Sequence, residues 1–149
     1  MAKPVPKIRI DIVTAERSVY SGEGDVLIAP SVEGEIAVLP RHAPLLTQLQ
    51  PGEVVIRSDT DETSMSLSGG FLEVLGDRVI ILADTVERAD EIDVDRAEAA
   101  MRKAEERVAN RESDQDLDRT LTALARSRAR LRVARRRRSR GATLPSSTT

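Results

Sequence analysis

The stretch Glu91–Arg102, EIDVDRAEAAMR, marks an abrupt change in the character of the sequence. The chain before it consists of short β-branched runs separated by glycine and proline, whereas the segment after it is rich in Ala, Arg, Glu and Leu. The first composition favours strands and the second favours helices. Asp93 stands where a helix N-cap is expected, so a helix is predicted to begin there. The junction therefore separates a strand-forming part of the chain from a helix-forming part.

Short apolar runs recur before this junction, about ten residues apart, as in all-β domains. The first of them, Lys7–Val13, alternates polar and apolar residues and places Ile8, Ile10 and Ile12 on one face. The other predicted strands are Asp25–Ala29, Glu35–Leu39, Glu53–Arg57, Ser64–Leu67, Phe71–Leu75 and Arg78–Ala83. Predicted turns separate them at Gly22, Gly24, Gly34, Pro40, Pro51-Gly52, Asp59–Glu62, Gly69-Gly70 and Gly76-Asp77. With no helical segment between them, the strands predict an antiparallel β-sandwich or barrel over residues 1–87.

Residues 88–140 are predicted to form an α-helical hairpin, which makes the fold class α+β. The first helix covers about residues 93–110 and carries small apolar residues at three- and four-residue steps: Ala97, Ala100, Met101, Ala104 and Val108. The second covers about residues 115–138, with Ser113 or Asp114 as its N-cap, and carries Leu117, Leu121, Leu124, Leu131 and Ala134. Because the two helices meet through small side chains, we expect a marginally stable hairpin that can detach or extend. Residues 141–149 are predicted to be a disordered tail.

The composition excludes sites that need cysteine, and the apolar runs are too short for a membrane span or a signal peptide. The chain contains no cysteine, which excludes disulfides, thiol catalysis and thiolate metal sites. No run approaches the roughly 20 apolar residues that span a bilayer, and the N-terminus MAKPVPKIRI lacks the apolar core of a signal peptide. The sequence therefore predicts a soluble intracellular protein.

The positive charge is concentrated near the C-terminus. The segment Arg119–Arg140 holds ten arginines and no acidic residue, so the rest of the chain carries about −12 against a total of −2. Such a block indicates either a polyanionic or acidic partner or a solvated helix face. One alternative function is therefore a nucleic-acid-binding adaptor whose helix tracks phosphates. The absence of aromatic residues from this helix and the acidic remainder of the chain argue against it.

Little in the sequence indicates catalysis or a metal site. His42 is the only histidine and lies between Pro40 and Pro44, where no serine or carboxylate can be assigned to it, so a structural role is favoured over a general base. Neither Gly22-Glu23-Gly24 nor Gly69-Gly70 continues as a phosphate-binding loop. The acidic run near Asp116 lacks the glycine and the terminal glutamate of a calcium loop. An enzyme built on the sandwich is the least supported alternative, because no base and nucleophile can be paired.

One group of residues is suited to binding a nucleotide. Asp93, Arg96 and Ala97 share one side of the first helix, while Arg126 and Arg130 lie four residues apart on the second. Guanidinium groups bind phosphate oxygens, and a carboxylate can accept a hydrogen bond from an adenine amino group. The alternative is that Asp93 only caps its helix and the arginines are solvated; spacing alone favours this alternative.

Four stretches of the chain are similar to one family. They are GEIAVLPRHAPLLTQLQPG (Gly34–Gly52), SGGFLEV (Ser68–Val74), VIILADTVERADEID (Val79–Asp93) and IDVDRA (Ile92–Ala97). The last fits the motif Ile/Leu-Asp-x-x-Arg-Ala of nucleotide-binding bacterial members. Over residues 7–138 the chain resembles the epsilon subunit of the rotary proton-translocating ATP synthase.

The resemblance implies a noncatalytic subunit. Its β-sandwich would dock on the gamma subunit and the ring of c subunits, coupling ring rotation to the catalytic head. Its hairpin would lie folded on the sandwich or extend toward the alpha and beta catalytic subunits and inhibit ATP hydrolysis. No cofactor is required, and ATP would act as a regulatory ligand of the folded hairpin. The subunit would be peripheral to the cytoplasmic face of the bacterial cell membrane, without a nucleic-acid partner.

The resemblance also assigns residues to the ATP site. The assigned residues are Asp93, Arg96, Ala97, Arg126, Arg130 and Glu87. Two positions depart from the family pattern, because Ala37 and Arg41 stand where glycine is usual, in the region that would contact the ring. The run Arg135–Arg138 and the tail extend past the usual end of the family. We expect this run to contact acidic segments of the catalytic subunits when the second helix is extended.

Overall fold

The structure is a computed structural model that describes residues 3–59, 61–110 and 114–141. Over these residues the chain forms ten strands followed by two helices. The strands are β1 (Ile8–Val13), β2 (Ser18–Gly24), β3 (Val26–Ser31), β4 (Gly34–Val38), β5 (Leu45–Leu49), β6 (Gly52–Ser58), β7 (Asp61–Leu67), β8 (Gly70–Leu75), β9 (Arg78–Ala83) and β10 (Val86–Arg88). The helices are α1 (Val94–Ala109) and α2 (Asp114–Gly141). The predicted α+β fold, a sandwich followed by a helical hairpin, is confirmed.

The strands form one continuous hydrogen-bonded path in the order β10-β7-β6-β3-β5-β8-β9-β1-β2, with β4 paired to β3. Every pairing on this path is antiparallel except that of β1 with β9, which is parallel. The prediction of an antiparallel sheet therefore holds apart from this one pair. All ten strands contribute to a single apolar core, so the sheet folds over on itself and encloses that core between its layers.

The alternation predicted for the first strand is confirmed. Ile8, Ile10 and Ile12 of β1 are each at most 1% exposed, whereas the intervening Arg9 is exposed. Val, Ile, Leu and Ala form most of the remaining core, together with Met65. A chain with so few aromatic residues thus fills its sandwich with branched aliphatic side chains.

Three strands were missed, and glycines predicted as turns lie within strands, among them Gly34 at the start of β4. The missed strands are β2, β5 and β10. Gly22 and Gly24 were predicted as turn residues but belong to β2, where a Cβ on Gly24 would lie 3.0 Å from a side-chain atom of Ile56. Glycine at that point permits close packing of two strands and does not form a turn. The predicted turn at Asp59–Glu62 is also shorter than expected, because β7 begins at Asp61.

The two helices follow the predicted pattern, and the second helix ends later than predicted. Asp93 is the N-cap of α1, as predicted, and its Oδ1 accepts a hydrogen bond from the backbone N–H of Arg96 at 3.1 Å. Helix α2 begins at Asp114 and continues past residue 138 to Gly141, the first residue of the predicted tail. The alternative cap Ser113 and tail residues 142–149 lie outside the described residues. No described helix is long and apolar enough to cross a membrane.

Candidate functional site

The helical hairpin lies on the outer face of the sandwich, where α2 packs against β6 and β7. Its apolar contact is small and separate from the sandwich core: Ile92, Val133 and Ala134 form a buried cluster, with Ala89 and Val94 packed against it. Between the helices, Ala97 and Ala104 of α1 are buried, as are Leu124, Leu131 and Ala134 of α2. Leu121, by contrast, is 45% exposed, so one member of the predicted leucine stripe faces outward.

Glu87 and Arg130, two of the predicted ATP-site residues, are brought into direct contact. Glu87 lies in β10, and its Oε2 accepts a hydrogen bond from Nε of Arg130 on α2 at 2.7 Å. The two side chains are 36% and 25% exposed, so the pair is partly shielded from water. A charge-assisted hydrogen bond of this length therefore joins the second helix to the last strand of the sandwich.

Asp93, Arg96 and Ala97 lie together in the first turn of α1. Asp93 uses one carboxylate oxygen for the cap, Arg96 is exposed, and Ala97 is fully buried. Arg126 is exposed on α2, one turn before Arg130. Within the described parts of the chain, no hydrogen bond or ion pair joins the Asp93 turn to the Glu87–Arg130 pair. The arrangement leaves the Arg96 and Arg126 side chains accessible, whereas Arg130 is already neutralised.

The segment between β10 and α1 is anchored to the sandwich. The Glu91 carboxylate accepts hydrogen bonds from the backbone N–H of Arg88 at 3.0 Å and from the Arg17 guanidinium at 3.1 Å. These two donors, with the Arg88 bond dominant, lower the pKa of Glu91 below its ordinary value. The Arg88 guanidinium also donates to the backbone carbonyl of Val19 at 2.6 Å. The segment between β10 and α1 is thus attached to the sandwich independently of the contacts made by α2.

Sequence reasoning missed a second ionic contact between the hairpin and the sandwich. Arg136 of α2 places Nε 3.1 Å from Oε1 of Glu53 and Nη1 3.4 Å from Oε1 of Glu62. The Glu53 side chain is only 6% exposed. The available signal was Glu53 itself, which directly precedes the apolar run Val54–Ile56. A glutamate is rarely buried unless it is paired.

The remaining predictions on chemistry concern His42 and metals. The Nδ1 atom of His42 lies 2.6 Å from the backbone carbonyl of Ala43, and its backbone N–H donates to Leu39. Both contacts are local, and the structural role of His42 stays a prediction. Among the described residues, no group of three or more acidic or histidine side chains is arranged to hold a metal ion.

The structure thus defines a two-part protein, in which a β-sandwich with a complete core carries a docked helical hairpin rich in arginine. Residues 7–89 match the family description "ATP synthase, Delta/Epsilon chain, beta-sandwich domain", and residues 90–135 match "ATP synthase, Delta/Epsilon chain, long alpha-helix domain". The chain therefore belongs to the epsilon chain family of ATP synthases, and as such it is a noncatalytic component of the central stalk.

Individual relatives support the same assignment, which confirms the predicted resemblance. The ATP synthase epsilon chain of Dehalococcoides mccartyi is 56% identical over 105 residues, which cover 70% of this chain and 75% of the relative. That of Herpetosiphon aurantiacus is 55% identical over 112 residues, covering 75% and 82%. A chain in the cryo-EM structure of Euglena gracilis mitochondrial ATP synthase has the same fold, with a TM-score of 0.74 at 21% identity over 89% of this chain and 84% of that one.

Proposed function

We propose that the β-sandwich docks on the gamma subunit and the ring of c subunits and couples ring rotation to the catalytic head. The helical hairpin is the regulatory element: folded on the sandwich it leaves ATP hydrolysis unaffected, and extended toward the alpha and beta subunits it inhibits hydrolysis. In this role the protein is peripheral to the cytoplasmic face of the bacterial cell membrane. Membership of the family and the ATP synthase relatives support this assignment.

The observation that carries the proposal is the way in which the hairpin is attached. Its contact with the sandwich consists of a few small apolar side chains and of arginine–carboxylate pairs, and the sandwich core contains no residue of either helix. Removing the hairpin therefore exposes little apolar surface, and water can hydrate the separated charges. A docked element of this kind can leave its surface without unfolding the domain that carries it.

The extended hairpin would bind its partners through the arginines of α2. Arg128, Arg132, Arg135 and Arg137 are exposed in the folded state. Guanidinium groups pair with carboxylates in a planar, bidentate geometry, so an arginine-rich helix is suited to acidic segments of the catalytic subunits. The run beginning at Arg135 extends this surface past the segment that matches the family.

ATP is the proposed regulatory ligand of the folded hairpin. Arg96 and Arg126 are exposed, as phosphate-binding side chains must be, and Glu87 already holds Arg130 beside the sandwich. A nucleotide that contacts both helices and β10 would bind the folded state only. It would shift the population toward that state by its difference in affinity for the two states.

The test is ATP hydrolysis by the reconstituted catalytic head complex, with the full chain and with a variant lacking residues 135–149. We expect the full chain to inhibit hydrolysis and the truncated chain to inhibit it less. A variant lacking only residues 142–149, which follow the end of α2, is the matched control and should inhibit fully. Both variants must co-purify with the head complex, which shows that the sandwich is still docked. Equal hydrolysis with all three chains would refute the proposed inhibitory role of the helix.

A further inference from the structure

A network of side chains crosses the interface between α2 and the sandwich. At its centre, Arg136 contacts Glu53 of β6 through Nε at 3.1 Å and Glu62 of β7 through Nη1 at 3.4 Å. On the sheet, Ser64 donates a hydrogen bond to Glu53, and the Nε atom of Arg57 donates to Glu62 at 3.0 Å. One guanidinium group of the hairpin thus bridges two carboxylates on neighbouring strands.

The two carboxylates of this network are largely buried. The side chains of Glu53 and Glu62 are 6% and 17% exposed, although they lie on the outer face of the sheet, because α2 covers them. A carboxylate removed from water is costly unless a cation and hydrogen-bond donors compensate it. In the docked state Arg136 supplies that cation to Glu53 and shares Glu62 with Arg57 of the sheet. In the undocked state water would hydrate both carboxylates, and Glu62 would keep Arg57.

Cavities border the Arg136 side chain where α2 meets the sheet. A cavity of about 340 Å³ lies on one side, lined by Glu62, Ala89 and Arg136 among others. A cavity of about 380 Å³ lies on the other side, where Glu53 and Arg136 contribute to the lining. The buried apolar cluster of the interface is limited to small and medium side chains near Ile92 and Val133. The ionic network is therefore the polar contact by which α2 meets the sheet beyond Ala134.

We propose that Glu53 and Glu62 form an acidic latch that captures Arg136 and holds the hairpin folded. The latch is internal to this chain, and Arg136 lies one residue past the segment that matches the family's helical domain. Its effect on inhibition rests on the proposed function: the carboxylates of the sandwich compete with acidic segments of the catalytic subunits for the same helix. Weakening the carboxylate side of the latch frees the hairpin and leaves every arginine of α2 intact.

The opening of the latch can be measured with a single introduced cysteine in the full-length protein, since the chain has no other. Val55 lies on the outer face of β6 beneath α2 and is 4% exposed, whereas Val54 points into the sandwich core and is 1% exposed. The rate at which a thiol reagent modifies Val55→Cys is proportional to the fraction of time for which the hairpin is undocked. Modification of Val54→Cys reports unfolding of the sandwich itself.

We expect the double variant Glu53→Gln/Glu62→Gln to raise the modification rate of Val55→Cys about tenfold, which corresponds to about 1.4 kcal/mol. Arg136→Gln should give a similar increase without any change to the sandwich. The matched control is Glu105→Gln, which removes a carboxylate 3.9 Å from Arg128 within the hairpin and should leave the rate unchanged. An unchanged rate in the double variant and in Arg136→Gln would overturn the latch. So would an increase that Val54→Cys follows in parallel or that Glu105→Gln reproduces.

The hydrolysis assay separates the latch from the proposed function. With the catalytic head complex, Glu53→Gln/Glu62→Gln should inhibit ATP hydrolysis more strongly than the wild-type chain. Faster cysteine modification without stronger inhibition would support the latch and contradict inhibition by the extended hairpin. Unchanged modification, together with inhibition that truncation at residue 135 relieves, would contradict the latch and support the proposed function.

Discussion

Substitution of Gly70 by alanine should severely destabilise the sandwich. Gly70 is the first residue of β8, pairs with Ala83 of β9 and has a φ angle of +140°. A Cβ on this backbone would lie 2.1 Å from the carbonyl oxygen of Leu82 and 2.9 Å from Cα of Ala83. Both contacts are with main-chain atoms, so no rotation of a side chain can relieve them. The pairing of β8 with β9 would have to shift.

The magnitude follows from a comparison with Gly34. Gly34 has a similar φ angle of +130°, but a Cβ there would have no atom within 4 Å. Gly34→Ala therefore carries only the cost of placing an L-residue in this region, about 1–3 kcal/mol. Gly70→Ala adds displacement of a packed strand, about 1–3 kcal/mol more by analogy with overpacked cores. We expect a total loss of about 4 kcal/mol, a large share of the roughly 5–15 kcal/mol available to a domain.

Urea unfolding followed by far-ultraviolet circular dichroism would measure both variants, because the chain has no tryptophan for fluorescence. With equal slopes, the difference in midpoint between Gly70→Ala and Gly34→Ala isolates the cost of the main-chain clash. If the two variants lost the same free energy of unfolding, the close approach of β8 and β9 at Gly70 would be refuted. A loss below about 1 kcal/mol at both positions would contradict the backbone argument as well.

Three further outcomes are expected. In calorimetric titrations with Mg-ATP and with ATP alone, Arg126→Ala and Asp93→Ala should each weaken binding at least about tenfold, while Arg128→Ala should not. Absence of binding by the wild-type chain up to millimolar ATP would exclude the nucleotide site. Arg41 has a φ angle of +65°, so Arg41→Gly should raise the free energy of unfolding by about 0.5 kcal/mol, and a lower urea midpoint would contradict this. The pKa of Glu91 is lowered in the folded state, so its stabilisation is present above the ordinary value of 4.5 and is lost as the pH falls through the folded-state value. Below pH 4.5 the stability of Glu91→Gln should therefore depend less on pH than that of the wild-type chain, and identical acid unfolding curves would contradict this contribution.

The strands that could be predicted are those whose own residues alternate in polarity or form an aliphatic run. Alternating isoleucines identify β1, and dense aliphatic runs identify β6, β8 and β9. The strand β2, with the sequence SVYSGEG, has one buried apolar side chain, Val19, and forms because β1 supplies its hydrogen-bonding partner. Likewise, the three residues of β10 are ordered by pairing with β7. The hydrogen bonds that a neighbouring strand supplies leave no pattern in a strand's own sequence, and this is why such strands escape prediction.

The candidate site likewise combines one local contact, which could be predicted, with contacts between residues far apart in the sequence, which could not be predicted from spacing. The cap at Asp93 is a local interaction over three residues, so spacing is sufficient to predict it. The contact of Glu87 with Arg130 joins residues 43 positions apart, and only the resemblance to a family brought the two together before the structure did. The sequence marked Glu53 as a glutamate in an apolar run, but nothing in it paired this residue with Arg136. Its partners could be identified only once α2 was placed on the sheet.

The division of the protein into two cores supports the switching that we propose for its hairpin. The core of the sandwich draws on all ten strands and on neither helix, so it remains complete when the hairpin leaves. Among the described residues, the docked state is favoured by the small cluster around Val133 and by the ion pairs of Arg130 and Arg136. Ion pairs gain water and counterions on separation, so the free-energy difference between the two states is small compared with that of unfolding the sandwich. A ligand that binds one state tenfold more tightly shifts such an equilibrium by about 1.4 kcal/mol. The proposed acidic partner would bind the same arginines and shift it in the opposite direction.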